Sequence, residues 1–419
     1  MGVSATETRE AIDAVWRIES PRLIAGLTRM VHDVGLAEDL AQEALVTALE
    51  QWPQVGVPEK PGAWLMATAK HRALDHFRRN AMLNRKHAEL ARQFEALEQT
   101  VPDYDTGLDD TIGDDLLRLV FISCHPVLSV EGRVALTLRL LGGLTTEEIA
   151  RAYLAQESTI AQRIVRAKKT LADAQVPFEI PRGLEFTARL ASVLQVIYLI
   201  FNEGYTASVG DDWLRPALCE DALRLGRVLA GLVPNEAEAH GLVALMEIQA
   251  SRTKARQDAA GNMVLLMSQD RGLWDQLLIR RGLAALERAV ELGGSAGTYT
   301  LQAAIAACHA RARTASATDW QRIAGLYELL AHVAPSPVVE LNRAVAIAMA
   351  FGPAAGLEHV DALRNEPSLK NYHLLPSVRG DLLNKLGRTD EARVEFARAA
   401  ALTNNSRERD WLLRRAERL

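Results

Sequence analysis

Hydrophobic positions recur along this chain at intervals of three and four residues almost throughout, which is the period of one face of an α-helix. Ile160, Ile164, Ala167 and Leu171, for example, follow one another at spacings of four, three and four. No run of alternating apolar and polar residues bounded by turn signals interrupts the pattern, so it predicts an all-α protein. The helical stretches are punctuated at Gln51-Trp52-Pro53 through Pro61-Gly62, in an acidic stretch from Pro102 to Gly113, and at Pro177 to Gly183. Proline removes a backbone donor and glycine admits conformations that other residues avoid, so clusters of the two end helices. These breaks predict a helical domain over 10–90, an acidic linker over 91–113, a second helical domain over 114–176 and a long helical domain over 181–419.

The last domain carries a repeat signal. Gly380, Leu386, Gly387, Ala392, Phe396 and Ala399 stand at the offsets where a tetratricopeptide repeat places small and apolar residues. The small ones let paired helices approach, and Phe396 fills the gap between pairs. Gly352 and Gly387 are 35 residues apart, close to the roughly 34-residue period of that class. Segments 218–251 and 282–335 read as weaker relatives with longer inserts. A generic helical bundle is the alternative. Either way the region is a scaffold, and a solenoid would present a concave surface to an intramolecular or protein partner.

Composition adds limits. The chain has 419 residues, 48% hydrophobic and 24% charged, enough for two or three domains with real cores and unlike a disordered polymer. Its longest apolar run, Val193 to Phe201 with Gln195 inside it, falls short of the roughly 20 residues a membrane span needs, so no membrane segment is expected. The start, Met1-Gly2-Val3-Ser4, lacks the basic and apolar regions of a secretory signal, and a cytoplasmic location is expected. Cys124, Cys219 and Cys308 are odd in number and far apart, which argues against a disulfide framework and a zinc site; no metal or cofactor is expected. The net charge of −5 conceals local fields. Lys60 to Lys86 holds seven basic residues against Asp75, and Glu95 to Asp115 holds eight acids with no lysine or arginine.

Three segments concentrate candidate chemistry. In the first, Leu144 to Lys169, Thr145 with Glu148 three residues on forms a capping box that starts a helix. A turn near Leu154 to Gln156 follows, and then a helix that turns Ile160, Ile164, Ala167 and Leu171 inward. Its outward side carries Ser158, Thr159, Gln162, Arg163, Arg166 and Lys169, side chains able to bind phosphates or read base edges in a major groove. This is a helix-turn-helix with a recognition helix, or else two amphipathic helices with a solvated basic face. In the second, Ala37 to Trp52, residues Asp39, Gln42, Glu43 and Val46 fall at i, i+3, i+4 and i+7, one face of a helix, while Leu36, Leu40 and Ala44 face another way. Such a stripe can dock a basic partner or simply be solvated. In the third, Lys60 to Asn80, Trp64, Ala67, Leu74 and Phe77 mark one side of a helix. Lys70, His71, Arg78 and Arg79 lie on the other, a basic helix with an aromatic suited to single-stranded DNA. Trp64 reads equally well as a core residue.

The series AEDLAQEALVTALEQW, PGAWLMATAKHRALDHFRR and LTTEEIARAYLAQESTIAQRIVRAKKTL resembles the bacterial RNA polymerase sigma factors of the extracytoplasmic-function group, over roughly residues 10–175. The resemblance implies that Asp39, Gln42, Glu43 and Val46 dock on the clamp helices of the polymerase β′ subunit. It implies that the loop Pro53 to Pro61 captures a flipped base of the melted −10 element. Trp64, Lys70, His71, Arg78 and Arg79, on the helix Gly62 to Asn80, would then take part in −10 recognition. It assigns the outward side of the helix-turn-helix to the duplex −35 element and the acidic segment to a linker threading toward the polymerase active-site channel. Two departures stand out: Gln54 to Pro61 lacks the usual aromatic-basic-glycine pattern, and Leu154 replaces a glycine common in the helix turn. From about Pro181, including Tyr198-Leu-Ile-Phe-Asn202-Glu203-Gly204-Tyr205, the chain looks like the subgroup fused to a tetratricopeptide-like domain. That implies control by the attached module, which its linker holds at high local concentration. Asn202, Glu203 and Tyr205 could bind a partner or satisfy backbone groups at a helix end, and the second is favoured.

An enzyme would need convergent reactive groups. The single short match, Gly293-Gly294-Ser295-Ala296-Gly297, fits a nucleophile elbow only where a strand meets a helix. Here it follows a helical run, so Gly293 reads as a helix cap. A sigma factor does no bond chemistry of its own, and no enzyme is expected. The competing readings are a one-component helix-turn-helix regulator and a tetratricopeptide scaffold, both acting without core polymerase. Neither explains an acidic docking helix followed by an aromatic, basic one.

Overall fold

The computed structural model describes residues 5–81, 108–206, 214–258, 263–403 and 405–419. Among them are eighteen α-helices and no strand, and an isolated bridge joins Gln257 and Met263. The expected linker over 91–113 lies largely outside the described residues. The chain divides into two compact units, residues 1–197 and 198–419.

The first unit contains α1 (Ala5–Val31), α2 (Val34–Val55), α3 (Pro61–Ala81), α4 (Leu108–Ser123), α5 (Val130–Leu140), α6 (Thr146–Ala152), α7 (Glu157–Asp173) and most of α8 (Gly183–Tyr205). Asp33 opens α2 by accepting from the Leu36 amide at 2.9 Å. The buried side of α2 is built largely of small residues, Ala37, Ala41, Ala44 and Ala48, which lets α1 and α3 approach closely. The helix runs on through Pro53 to Val55 before Gly56, at φ +87°, ends it, so the break expected at 51–53 falls later. Pro53 forfeits a single bond near the helix end, and Trp52, 1% exposed, anchors that turn in the core. On α4, Asp115 pairs with Arg29 of α1 at 2.9 Å. Burial pushes its carboxyl above the ordinary range against the pull of Arg29 and Arg118.

Helix α8 is longer than the apolar run Val193 to Phe201 that marks it in the sequence. Taken as a 23-residue helix it is long and apolar enough to cross a membrane, yet half of its most apolar window is buried within the fold. Its polar residues are built into that packing. Arg189, 6% exposed, donates to the Phe121 carbonyl at 3.0 Å, and the Ser192 hydroxyl donates to the Cys124 carbonyl at 2.7 Å. These contacts mark α8 as a core helix.

The second unit is a succession of packed helices: α9 (Pro216–Leu232), α10 (Ala237–Ala250), α11 (Gln276–Glu291), α12 (Thr298–Arg311), α13 (Trp320–Val333), α14 (Pro337–Phe351), α15 (Pro353–Ala362), α16 (Leu374–Lys385), α17 (Thr389–Leu402) and α18 (Ser406–Glu417). Between α10 and α11 the chain makes an irregular excursion through three short 3₁₀ turns. Gly352 and Gly387, at φ +102° and +76°, end α14 and α16 in backbone that other residues rarely adopt. A Cβ at Gly380 would stand 3.1 Å from the ring of Phe396, so the α16/α17 contact needs a bare backbone there. Ala392, Phe396 and Ala399 are all 0% exposed. The Gly293 to Gly297 segment joins α11 to α12, with Gly293 at φ +82° just past the end of α11, which is the cap expected. Glu238 accepts from the Tyr299 and Thr300 amides at 2.8 and 3.0 Å, satisfying the first turn of α12.

All three cysteines are buried and unpaired. Burial pushes the Cys124 thiol up to about 11 and that of Cys219 up to about 12, so both remain protonated and behave as small core residues.

Candidate nucleic-acid interface

Helices α6 and α7 form the expected helix-turn-helix. Thr145 and Glu148 complete their capping box at 3.1 and 2.8 Å. Ile160, Ile164, Ala167 and Leu171 are buried on the inner side of α7, and Ser158, Thr159, Gln162, Arg166 and Lys169 are exposed, with Arg163 half-buried. Among the described residues no carboxylate lies within ion-pair distance of Arg163, Arg166 or Lys169, leaving their charge for a partner such as phosphate. Arg163 and Arg166 line a groove of about 360 Å³ that also takes in Ser129 and Glu131 at the start of α5. The turn carries Leu154 at φ +48°. The position that departs from glycine is therefore one of left-handed backbone, and the leucine holds it without burial, at 57% exposure.

On α2, Asp39, Glu43 and Val46 are exposed and Gln42 is half-buried, all on one face, with Leu40 and Ala44 buried on another. Among the described residues the cation nearest Glu43 is Arg72, at 4.0 Å. On α3 the buried set is Leu65, Ala69, Ala73, Leu74 and Phe77. Ala67 is exposed rather than inward, because the buried stripe follows Leu65 and Ala69, four residues apart. Trp64 is half-buried, its ring edge-on to Trp52 at 5.3 Å, so it packs as well as presenting a partial face. His71 and Arg78 are exposed and Lys70 half-buried; the side chain of Arg79 lies outside the described residues. Lys70 joins Arg22, Arg29 and Lys60 around a cavity of about 290 Å³ at the start of α3.

One part of this surface went unseen in the sequence. Glu38, one residue before the expected docking stripe, is 3% exposed and bound by two cations from the second half of the unit. Arg139 of α5 donates to it at 2.6 Å, and Lys168 of α7 stands 2.5 Å from its other oxygen. Gln42 donates to it at 2.6 Å, and Lys168 also lies 3.8 Å from Asp39. A further pair, Arg17 to Glu148 at 2.9 Å, ties α1 to α6. The signal was there in outline: Glu38 sits three and ten residues before Ala41 and Ala48, on a side of α2 that is otherwise apolar. An acid in that place needs a cation from elsewhere. Local pattern does not say which one.

In the second unit, Glu203 pairs with Arg215, and the Tyr205 hydroxyl accepts from Arg252 at 2.7 Å. Their side chains thus engage other segments of the fold, in place of the helix-end capping favoured from sequence.

Comparison with known proteins places the described geometry. Residues 16–82 match sigma-70 region 2, residues 118–171 match sigma-70 region 4, and residues 189–290 match a family of unknown function, DUF6596. An uncharacterized protein of Rhizobium meliloti is 42% identical over 94% of this chain and 92% of its own length. A probable ECF RNA polymerase sigma factor, SigI of Mycobacterium tuberculosis, is 27% identical over 40% of this chain and 56% of its own. The RNA polymerase sigma-H factor of Pseudomonas aeruginosa is 28% identical over 37% of this chain and 81% of its own. No solved structure matches the chain.

Proposed function

Since the chain belongs to the extracytoplasmic-function sigma-70 family, with regions 2 and 4 ahead of a DUF6596 extension, we propose how its surfaces divide the work of transcription initiation. A sigma factor carries no bond chemistry; it binds core RNA polymerase and promoter DNA. Asp39, Gln42, Glu43 and Val46 form the polymerase-docking face, directed at the β′ clamp helices. Trp64, Lys70, His71, Arg78 and Arg79 serve the melted −10 strand, where cations follow the backbone and an aromatic can stack on a base. Ser158, Thr159, Gln162, Arg163, Arg166 and Lys169 serve the −35 duplex. The domains are read as region 2 over 10–90, an acidic linker over 91–113, region 4 over 114–176 and a tetratricopeptide-like regulatory domain over 181–419, the first helix of which, α8, belongs for most of its length to the first unit.

The observation that carries this reading is the pair of exposed charged faces on one unit: the acidic face of α2, where, among the described residues, Asp39 and Glu43 meet cations no nearer than 3.8 and 4.0 Å, and the basic face of α7. They are joined by the Glu38 ion pairs, and that junction has a consequence. The −35 and −10 elements lie about 25 base pairs apart, on the order of 85 Å at ~3.4 Å per pair. Helices α2 and α7 are here in direct ionic contact, so both elements are read only after the Glu38 seam parts. The described arrangement is a closed form, and binding to polymerase supplies the free energy that opens it.

The test is transcription in vitro with the full chain and sigma-free core polymerase on a promoter library. Transcripts sharing upstream −35 and −10 sequences support the reading. Arg163→Ala should reduce −35-dependent transcription about ten-fold or more, as expected for loss of a base or phosphate contact worth about 1–3 kcal/mol, and leave core binding intact. Asp39→Ala with Glu43→Ala should weaken core binding instead. Loss of core binding by Arg163→Ala would overturn the assignment of faces. The sign of C-terminal control follows from a chain ended beyond α8 rather than at Pro181, because α8 supplies Arg189 and Ser192 to the first unit.

A further inference from the structure

The second unit gathers three guanidinium groups around two aromatic rings where α8 ends and the excursion between α10 and α11 begins. Arg256 lies 3.6 Å over the ring of Tyr205, and Arg252 is 5.9 Å from the same ring and 5.8 Å from that of Trp274. Arg271 stands 4.5 Å over the Trp274 ring. The result is a ladder of alternating cations and rings, with Arg252 in its middle.

Among the described residues, every acceptor these arginines use is neutral. Arg252 donates to the Tyr205 hydroxyl at 2.7 Å and to the Gln249 side chain. Arg256 donates to the Tyr205 carbonyl and, at 3.3 Å, to the Thr206 hydroxyl. Arg271 donates to the His309 carbonyl, to the Ala312 carbonyl at 2.7 Å and to the Thr318 hydroxyl at 3.3 Å. Among the described residues no carboxylate comes within 4.0 Å of any of the three. The acids that neighbour them in sequence are used otherwise. Asp270 and Asp275 accept from backbone amides of Gly272 and Leu277, and Glu247 holds Arg227 at 2.8 Å.

Around this ladder three buried donors or acceptors lack a partner among the described residues: Arg271 Nε, Trp274 Nε1 and His309 Nδ1. Trp274 is 3% exposed and His309 8%. The field of the cluster is visible at His309, which burial together with Arg252 and Arg271 pushes down to about 4. Each guanidinium carries a planar fork that matches carboxylate or phosphate oxygens. Gathering three half-buried cations without a counter-charge is unfavourable unless something else supplies the anion.

We propose that Arg252, Arg256 and Arg271 form a binding site for a small oxyanion, a molecule presenting phosphate or carboxylate groups, with Tyr205 and Trp274 as its aromatic walls. The site lies wholly within the second unit, and its occupancy does not depend on how that unit affects transcription. It gives the extension a chemical input of its own.

The experiment is thermal unfolding and calorimetric titration of the full chain with pyrophosphate and, separately, citrate, against sodium chloride at matched ionic strength. We expect saturable stabilisation by at least one of the two probes beyond the chloride control. Pyrophosphate alone points to a phosphorylated ligand, citrate alone to a carboxylate. Arg252→Met should weaken that binding ten-fold or more while the variant folds, and Arg252→Lys, which keeps the charge but not the fork, should weaken it less. Should the variants not fold, the wild-type chain still decides by imidazole NMR. The His309 resonance, assigned with His309→Gln, must then titrate at higher pH when the probe is bound, with the same saturation curve. No response to either probe beyond the chloride control, or a response unchanged in both Arg252 variants, overturns the proposal.

Discussion

Two places in this molecule hold charge out of water, and they are solved in opposite ways. At the seam of the first unit a single carboxylate, Glu38, is met by Arg139 and Lys168 at 2.6 and 2.5 Å, so the protein supplies its own counter-charges. In the second unit three arginines meet, among the described residues, hydroxyls, amides, carbonyls and aromatic faces but no carboxylate. A buried carboxylate with two partners is complete, and it binds two parts of one unit together. A cluster of one sign is incomplete, and its charge is left for something outside the chain. The first is therefore a latch and the second a receptor, although both are built from the same residue types.

The largest expected effect comes from fixing the seam. A Cβ at Gly35 would stand 3.7 Å from Cδ of Lys168, so cysteines placed by Gly35→Cys and Lys168→Cys lie within reach of a short bifunctional thiol reagent that carries a reducible disulfide. The locked chain should lose promoter-directed transcription more than ten-fold, and reduction should restore it. Full transcription by the locked chain would show that α2 and α7 never need to separate. Next in size, Glu38→Ala takes the buried counter-charge from Arg139 and leaves Lys168 with Asp39 at 3.8 Å, and should cost the first unit about 3 kcal/mol, the scale for breaking a buried pair from one side, with the unfolding of the second unit unmoved. An unchanged unfolding profile would strip the seam of its energetic role.

The arginine cluster makes a comparable prediction through pH. Unfolded histidine takes up a proton near 6.5, whereas His309 in the fold does so only near 4. Between those values the unfolded chain binds the extra proton, so stability falls as pH falls from about 6.5 to 4. The loss reaches up to about 3 kcal/mol at the acid end. Denaturant unfolding of His309→Gln should be flatter over that window than the wild type, and equal slopes would remove His309 from the cluster's field. The smallest effect is at the turn between α6 and α7. Leu154 at φ +48° pays about 1–2 kcal/mol for left-handed backbone, while glycine costs about 0.4–1 kcal/mol through the unfolded chain. Leu154→Gly should therefore stabilise the first unit by about 0 to 1.6 kcal/mol, read from its melting temperature.

These two charge sites also mark the limit of what the chain discloses as a string. The helix-turn-helix was legible because its determinants are neighbours: Thr145 with Glu148, and the stripe of Ile160, Ile164, Ala167 and Leu171. The exposed stripe of α2 was legible for the same reason. The end of α2 was misplaced because Pro53 is tolerated by a turn that Trp52 anchors in the core. Ala67 was misassigned because two stripes on α3 compete until its neighbours choose one. Helix α8 escaped a count of consecutive apolar residues because Arg189 and Gln195 interrupt the run without interrupting the helix.

By itself, then, the sequence determined the all-α character, the caps and glycines that end individual helices, and which side chains share the acidic face of α2 and the basic face of α7, the faces proposed for polymerase and promoter DNA. All of these depend on residues within about two turns of one another, where backbone geometry fixes which side chains share a face. Tertiary structure alone decided that Glu38 meets Arg139 and Lys168, 101 residues or more along the chain. It alone decided that Arg252 and Arg271 share the field around His309. Periodicity records that a charge faces the core, and only packing chooses the charge, or the lack of one, that it meets there.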